Sequence, residues 1–443
     1  MSMQANETER GRQVLRRNAA AFVIDYAFFG MGLAFAGTST TLPALAARLT
    51  SNAVLIGLVG ALWNGGWLLP QIAAAHYLTA KPRKLPVAIA VSWVGRPVFL
   101  VLALFLLMGG VRWPAVALTF LLAAVFYFAA TDALVAVAWF DVLAKAIPGK
   151  MRGRVVGIGQ LLSGLLSLGA GAAVRALLAE GGPPFPVNYA LILILATAAF
   201  FISTGSFYFI HEPIEAVPAE RPQLGHVLPR LVRHLREDSR FRKLTVVRLL
   251  IGLSAMPLPF YAVYATLERG LPEASIGLFL VALTVGGLVA GLVLGPVADR
   301  KGAHRVVQLM GLFHFLAPVL ALLASRVVNT SPQTLTALFA LVFLFLGIGD
   351  GSTMLGVLNY VLEIAPSADR TSYVGLTNTL AGMIILYPII GGWIATRWGY
   401  EAVFALAAVV ILIGGVLALW LPSPSPMQAA GDTGEKPLVE PSR

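Results

Sequence analysis

The chain has 443 residues, 58% hydrophobic and only 12% charged, with a formal net charge of +11 and no cysteine. A composition this apolar excludes an ordinary soluble domain, and the lack of cysteine excludes disulfides and thiolate metal sites. The basic excess is explained by membrane topology rather than by nucleic-acid binding.

Residues 1–18 are polar and carry Arg10, Arg12, Arg16 and Arg17. Beyond them, apolar runs of about 20 residues recur to residue 421, each long enough to cross a hydrocarbon core of roughly 30 Å. Backbone groups must be satisfied internally in lipid, so these runs predict helices rather than barrel strands. Twelve are expected, at 19–47, 53–78, 86–108, 114–144, 154–179, 188–210, 244–267, 275–298, 305–325, 335–364, 371–396 and 400–421. The first is too long for a cleaved leader and is read as a retained span. With the N-terminus inside, the outer loops and helix ends hold only Arg48, Arg112, Arg175, Arg269, Arg326 and Arg397 among the basic residues. The rest lie in or beside cytoplasmic segments, apart from Arg96 and Arg248, as the positive-inside rule requires.

The longest polar stretch, residues 211–243, separates a six-helix unit at 19–210 from a second at 244–421. Leu228, Leu231, Val232 and Leu235 recur in it at helical spacing, with Arg230, Arg233, Arg236 and Arg240 among them. The pattern predicts a basic amphipathic helix at the cytoplasmic lipid surface or, as the simpler alternative, a solvated linker. The tail, residues 422–443, is expected to be disordered and cytoplasmic.

The two units are related. An offset of 218 places Pro148 on Pro366, Arg152 on Arg370, Val156 and Gly157 on Val374 and Gly375, Gln160 on Asn378, and Asp132 on Asp350. Internal duplication of this kind points to a transporter whose site lies near the bilayer midplane. The stretch "GPVADRKGAHR", Gly295 to Arg305, then adds a local motif. It matches G-x-x-x-D-R-x-G-x-x-R at Gly295, Asp299, Arg300, Gly302 and Arg305. On these features the chain resembles a member of the major facilitator superfamily over residues 15–421.

That resemblance implies a fold of two six-helix bundles with both termini cytoplasmic and helices 1, 4, 7 and 10 lining the cavity. It also implies a cytoplasmic gate, closed when the transporter faces outward, in which Asp299 caps helix 5 near Arg154, with Arg300, Arg305, Asp141 and Arg152 extending the latch; a tight glycine-containing turn with solvated charges is the alternative. Small residues at Gly287, Gly291 and Gly295, and at Ser163, Ser167 and Gly171, are expected to bring helices 8 and 5 together.

An ionised Asp at the centre of a spanning helix costs roughly 2.5–3.5 kcal/mol on insertion scales, so such a residue should face protein or water. Asp25, Asp132, Arg248 and Asp350 fall on the four lining helices, and Arg96 lies centrally in helix 3. Asp132 and Asp350 are expected at mid-depth, about 20 Å from their cytoplasmic loops, with Asp25 and Arg248 lower. These five are the candidate proton- and substrate-binding residues. Structural ion pairing between helices is the alternative. Tyr26, Phe29, Asn64, Trp67, Trp139, Gln160 and Asn378 are the expected cavity lining, suited to a small organic solute with an apolar body. Phe260, Tyr261 and Tyr264 are further candidates for that wall. Pro257 and Pro259 should bend helix 7.

No nucleotide-binding loop, metalloprotease or hydrolase motif is present, and the histidines are scattered, with His314 read as a packing residue. No enzymatic activity, cofactor or metal is expected. The expected function is secondary active transport of a small organic solute across the cell inner membrane by a monomer, coupled to protons. A lipid flippase of the same fold and a non-transporting receptor or scaffold are the alternatives.

Overall fold

The computed structural model describes residues 2–214, 235–327, 331–366 and 370–423. Within them, twelve helical segments are long and apolar enough to cross a membrane. They are α1 (Gly11–Phe35), α2 (Ala53–Thr79), α3 (Leu85–Leu107), α4 (Pro114–Ala146), α5 (Gly149–Leu177), α6 (Val187–Phe209), α7 (Ser239–Glu268), α8 (Ser275–Lys301), α9 (Ala303–Arg326), α10 (Pro332–Ile364), α11 (Tyr373–Trp398) and α12 (Tyr400–Ala418). The amphipathic linker helix expected around Leu228 and most of the tail lie outside the described residues.

The main departure from expectation is the first span. The predicted 19–47 helix is two elements: α1 starts before residue 19 and stops at Phe35, and a separate helix runs Thr41–Leu49. The break is made by Gly37, whose carbonyl accepts from the N–H groups of both Thr40 and Leu42. A Cβ there would stand 2.2 Å from Thr40 Oγ1, so any other residue would force the Thr40 side chain to move. In α7 the proline pair does bend the chain. Its α-helix ends at Gly252, a 3₁₀ turn covers Leu253–Ala255, and helix resumes at Phe260 after Pro257 and Pro259.

We call the face where α1 begins and α12 ends proximal, and the opposite face distal. Proximal helix ends are tied by buried polar groups. The Glu212 carboxylate, just past α6, accepts from the N–H groups of Lys84 and Leu85 at 2.8–3.0 Å and so caps α3, where the helix dipole favours negative charge. Asp238 caps α7 through Arg240 N–H and Phe241 N–H, and its other oxygen accepts from the Tyr373 hydroxyl on α11 at 2.8 Å. Gly302, with φ of 84°, makes the tight turn between α8 and α9 that a side chain would strain.

α5 meets α8, and α2 meets α11, chiefly towards the distal face. A Cβ on Gly277 would stand 2.4 Å from the Arg175 nitrogen, and one on Gly392 would stand 2.6 Å from the Ala53 carbonyl oxygen. Arg48 and Glu273 form an ion pair at 3.3 Å on the same face. Proximally the contact is gone: Gly153 and Gly157 on α5, and Gly291 and Gly295 on α8, have no neighbour within 4 Å of a Cβ position. The expected meeting of α5 and α8 is present, but among the named small residues only Gly171 lies in it. Ser163 and Ser167 on α5 pack against Gly30 of α1. Gly287 approaches Gly347 and Gly351 of α10. The α5–α8 seam is built from Gly171 with Gly164, Gly277, Val281 and Leu288.

Candidate functional site: two charged cavities at mid-depth

Two cavities open between the helices. The first, about 510 Å³, lies among α1–α6 and is lined by Asp25, Arg96 and Asp132 together with Tyr26, Phe29, Trp67, Trp139 and Gln160. The second, about 350 Å³, is lined by Arg248, His314 and Asp350, with Asn64 reaching in from α2. All five candidate charged residues thus face a cavity, which is what the cost of ionisable groups in lipid demands. Asn64 belongs to the second cavity rather than to the aromatic one. Asn378 lies outside the described side chains.

Asp132 and Asp350 each lie fourteen residues, about 21 Å of helix, from the proximal ends of their spans at Ala146 and Ile364. Asp25 bonds Trp139 and Ser203, seven and six residues from the proximal ends of theirs at Ala146 and Phe209, and so sits nearer the proximal face.

In the first cavity, Asp25 and Arg96 are each only 4% exposed. No ion pair joins them directly among the described residues; they meet through α6. The Ser203 hydroxyl accepts from Arg96 Nη1 at 2.9 Å and itself donates to Asp25. Arg96 Nη1 also donates to the Phe200 carbonyl and to Thr204 Oγ1, at 2.9 and 2.6 Å. The second Asp25 oxygen accepts from the Trp139 indole N–H at 2.7 Å. The rings of Phe29 and Phe207 cover the guanidinium at 5.3 and 5.5 Å. Asp132 faces the cavity beside this cluster.

The second cavity holds a pair that the sequence reading missed. His314 is 4% exposed, and its Nε2 stands 3.2 Å from Asp350 Oδ1. Its Nδ1 stands 3.0 Å from the Met310 carbonyl. A carbonyl only accepts, so Nδ1 carries a proton. The contact with Asp350 then requires one more, held either on Nε2 as imidazolium or on the carboxyl group. His314 is thus hydrogen-bonded to Asp350 and not only packed against its neighbours. Arg248 lines the same cavity and donates to the Thr377 carbonyl at 3.0 Å.

Phe260, Tyr261 and Tyr264 line no wall of either cavity; they are fully buried packing, with Tyr261 stacked on Phe404 at 5.0 Å. The gate residues are not assembled. Asp141 pairs with Lys84 at 2.5 Å and Lys145 at 2.6 Å, not with Arg300 or Arg305. Arg152 donates to the carbonyls of Ala144 and Ile147, while Arg305 donates to Gln308 Oε1 at 2.9 Å. Asp299 makes no contact with Arg154 or Val155 among the described residues, as expected where α5 and α8 stand apart.

Twelve membrane-spanning helices around charged mid-depth cavities define a polytopic membrane protein of the transporter class. The family model described as Major Facilitator Superfamily matches residues 27–383 and 244–441. The chain belongs to the major facilitator superfamily, a family of transporters and not an enzyme class. It is similar to a putative sugar efflux transporter of Deinococcus radiodurans, 25% identical over 44% of this chain and 50% of that one. A multidrug resistance protein MdtG of Serratia proteamaculans is 27% identical over 35% of this chain and 36% of its own. The chain spans about half the length, or less, of these curated relatives. Among solved structures, a bacterial homologue of the iron transporter ferroportin in an inward-facing state superposes with a TM-score of 0.68 at 15% identity, covering 91% of this chain and 98% of that one. The nucleoside transporter NupG gives 0.62 at 13% identity, covering 92% and 98%. At these identities the likeness concerns the fold.

Proposed function

We propose that the protein is a proton-coupled secondary transporter that moves a small organic solute by alternating access. Residues 19–210 and 244–421 act as two six-helix units that rock about a mid-depth site. The observation carrying this reading is the pair of charged cavities, one in each half, beneath a distal face closed by glycine contacts and above a proximal face where α5 and α8 separate. The proximal face carries the basic residues Arg12, Arg16, Arg17, Lys81, Arg83 and Lys84, so we assign it to the cytoplasm, with both termini inside. The conformation is then inward-open. In the outward-open state the same rocking brings Asp299 and Arg300 against the start of α5.

The aromatic first cavity suits a solute with an apolar body, held by Asp132 and by the Asp25–Arg96 cluster. Proton exchange at the His314–Asp350 contact supplies the coupling. Water reaches the pair from one side at a time, so the proton loads on one face and leaves on the other. The relatives and the fold neighbours direct the first screen to sugars, nucleosides and aromatic drugs.

The test is solute-triggered proton flux in proteoliposomes loaded with a pH dye, with Asp132→Asn and Asp350→Asn beside the parent protein. Flux with one solute class that disappears in Asp350→Asn supports coupling. Solute movement that ignores both pH and the substitutions makes the carboxylates structural.

A further inference from the structure

A groove of about 880 Å³, larger than either central cavity, runs along the outside of the second half between α9 and α12, beneath the end of α8. Its proximal end is basic: Lys301, His304 and Arg305 line it, and no acidic residue does. His304 is 7% exposed, and its buried Nδ1 has no hydrogen-bond partner. Gln308 closes the floor there by donating to the Ala418 carbonyl at 3.2 Å.

Away from that end the wall is apolar, through Leu312 and Phe315 on α9 and Ile411 and Leu412 on α12. The groove exists because Gly311 and Gly415 face each other where the helices cross. A Cβ on Gly311 would stand 3.0 Å from Gly415 Cα, so the two backbones approach with no side chains between them. From Arg305 to Phe315 the channel is about 15 Å long at 1.5 Å per residue. That is half of a hydrocarbon core of roughly 30 Å, the depth of one leaflet.

We propose that this groove binds an anionic phospholipid of the proximal leaflet, its phosphate against Lys301 and Arg305 and one acyl chain laid along Gly311 and Gly415. Charge complementarity and leaflet-length fit select this occupant. A soluble anion would not use the apolar wall, and a zwitterionic lipid would not use the basic pair, which has no acidic residue beside it among the described lining. The site also gives Arg305 a use outside the gate, since it points to this groove in the inward-open state.

The experiment is native mass spectrometry of the purified full chain with phosphatidylglycerol or phosphatidylcholine of identical acyl composition. The parent should retain phosphatidylglycerol about 30-fold more tightly, the ratio that two basic side chains near an anionic headgroup supply together. Lys301→Ala with Arg305→Ala should remove that preference. Gly415→Leu, whose Cβ has only ordinary contacts at 3.8–4.0 Å with Gly311, should fill the channel and lose both lipids. Equal binding of the two lipids by the parent, or an unchanged preference in the double variant, overturns the proposal. So does inorganic phosphate raising the melting temperature as much as phosphatidylglycerol. If the variants fail to fold, phosphatidylglycerol with a photoreactive acyl chain is applied to the parent. Labelling on α9 and α12 supports the site, and labelling elsewhere sinks it.

Discussion

Two buried hydrogen-bond systems divide the chemistry of the spans residue by residue. The cluster of Asp25, Ser203, Arg96 and Thr204 ties α1, α3 and α6 together, with Arg96 bonding through Nη1 and its buried Nε left without a partner. Removing one partner of such a buried charge system costs about 3–5 kcal/mol, whereas losing one hydroxyl costs about 1–3 kcal/mol. Arg96→Ala should therefore depress the melting temperature in detergent severely, and Ser203→Ala by a smaller step. Equal, negligible effects in a thermal melt would mean that the cluster is not holding these helices. The His314–Asp350 pair has the opposite character, because Asp350 keeps 57% of its side-chain surface open while His314 is enclosed. His314→Gln puts a side-chain amide in place of the imidazole and cannot take up a proton. It should abolish solute-driven proton flux while leaving solute binding measurable by equilibrium dialysis. Coupling that survives in this variant would remove the imidazole from the proton path. Asp132 and Asp350 were readable in the sequence because a carboxylate inside an apolar run has few tolerable surroundings. Ser203 and His314 were not, because their importance depends on how α6 and α9 are rotated against their neighbours, and no motif records that angle.

At the scale of elements, the spans themselves were legible, since hydrophobic length alone fixes them. The break at Gly37 and the N-terminal extension of α1 were hidden. Arg, Gln and Leu before residue 19 are good helix formers that hydropathy does not register. The α5–α8 seam was half legible: small residues announced a close crossing, but not which of several stripes made it. That seam gives a sharp test. Gly277→Ala places a methyl 2.4 Å from the backbone nitrogen of Arg175, a contact with no flexible side chain to yield. The distal ends should be pushed apart and the population moved towards proximal closure. Cysteines introduced at Arg154 and Asp299 report this without background, because the chain has none of its own. Cross-linking should rise in Gly277→Ala relative to the parent protein. Unchanged cross-linking would show that the seam does not set the equilibrium.

For the whole molecule, the buried side chains near the proximal face sort by half. One cluster gathers Phe22, Val135 and Phe207 from the first six spans, and another gathers Phe241, Met310 and Tyr360 from the last six. Only the distal core runs continuously across both halves. Rocking about that shared core needs no repacking of either proximal cluster, so opening and closing can proceed with each half internally unchanged. The exposed Arg48–Glu273 pair adds little to holding the distal face, as surface ion pairs give about 0–1 kcal/mol. Raising ionic strength should therefore leave the conformational balance nearly unmoved in the same cross-linking assay. A large salt dependence would assign the closed face to charge rather than to packing.

The two carboxylate caps carry one more consequence. Glu212 fastens the exit of the first half onto α3, and Asp238 fastens the start of the second half and grips α11. Each anchor sits at one end of the joining stretch and finds its partners in or beside the half that it adjoins. Covalent continuity between the halves is then a matter of delivery rather than of architecture. Two polypeptides made separately in one cell, divided between residues 215 and 234, should find one another in the bilayer and reconstitute a working whole.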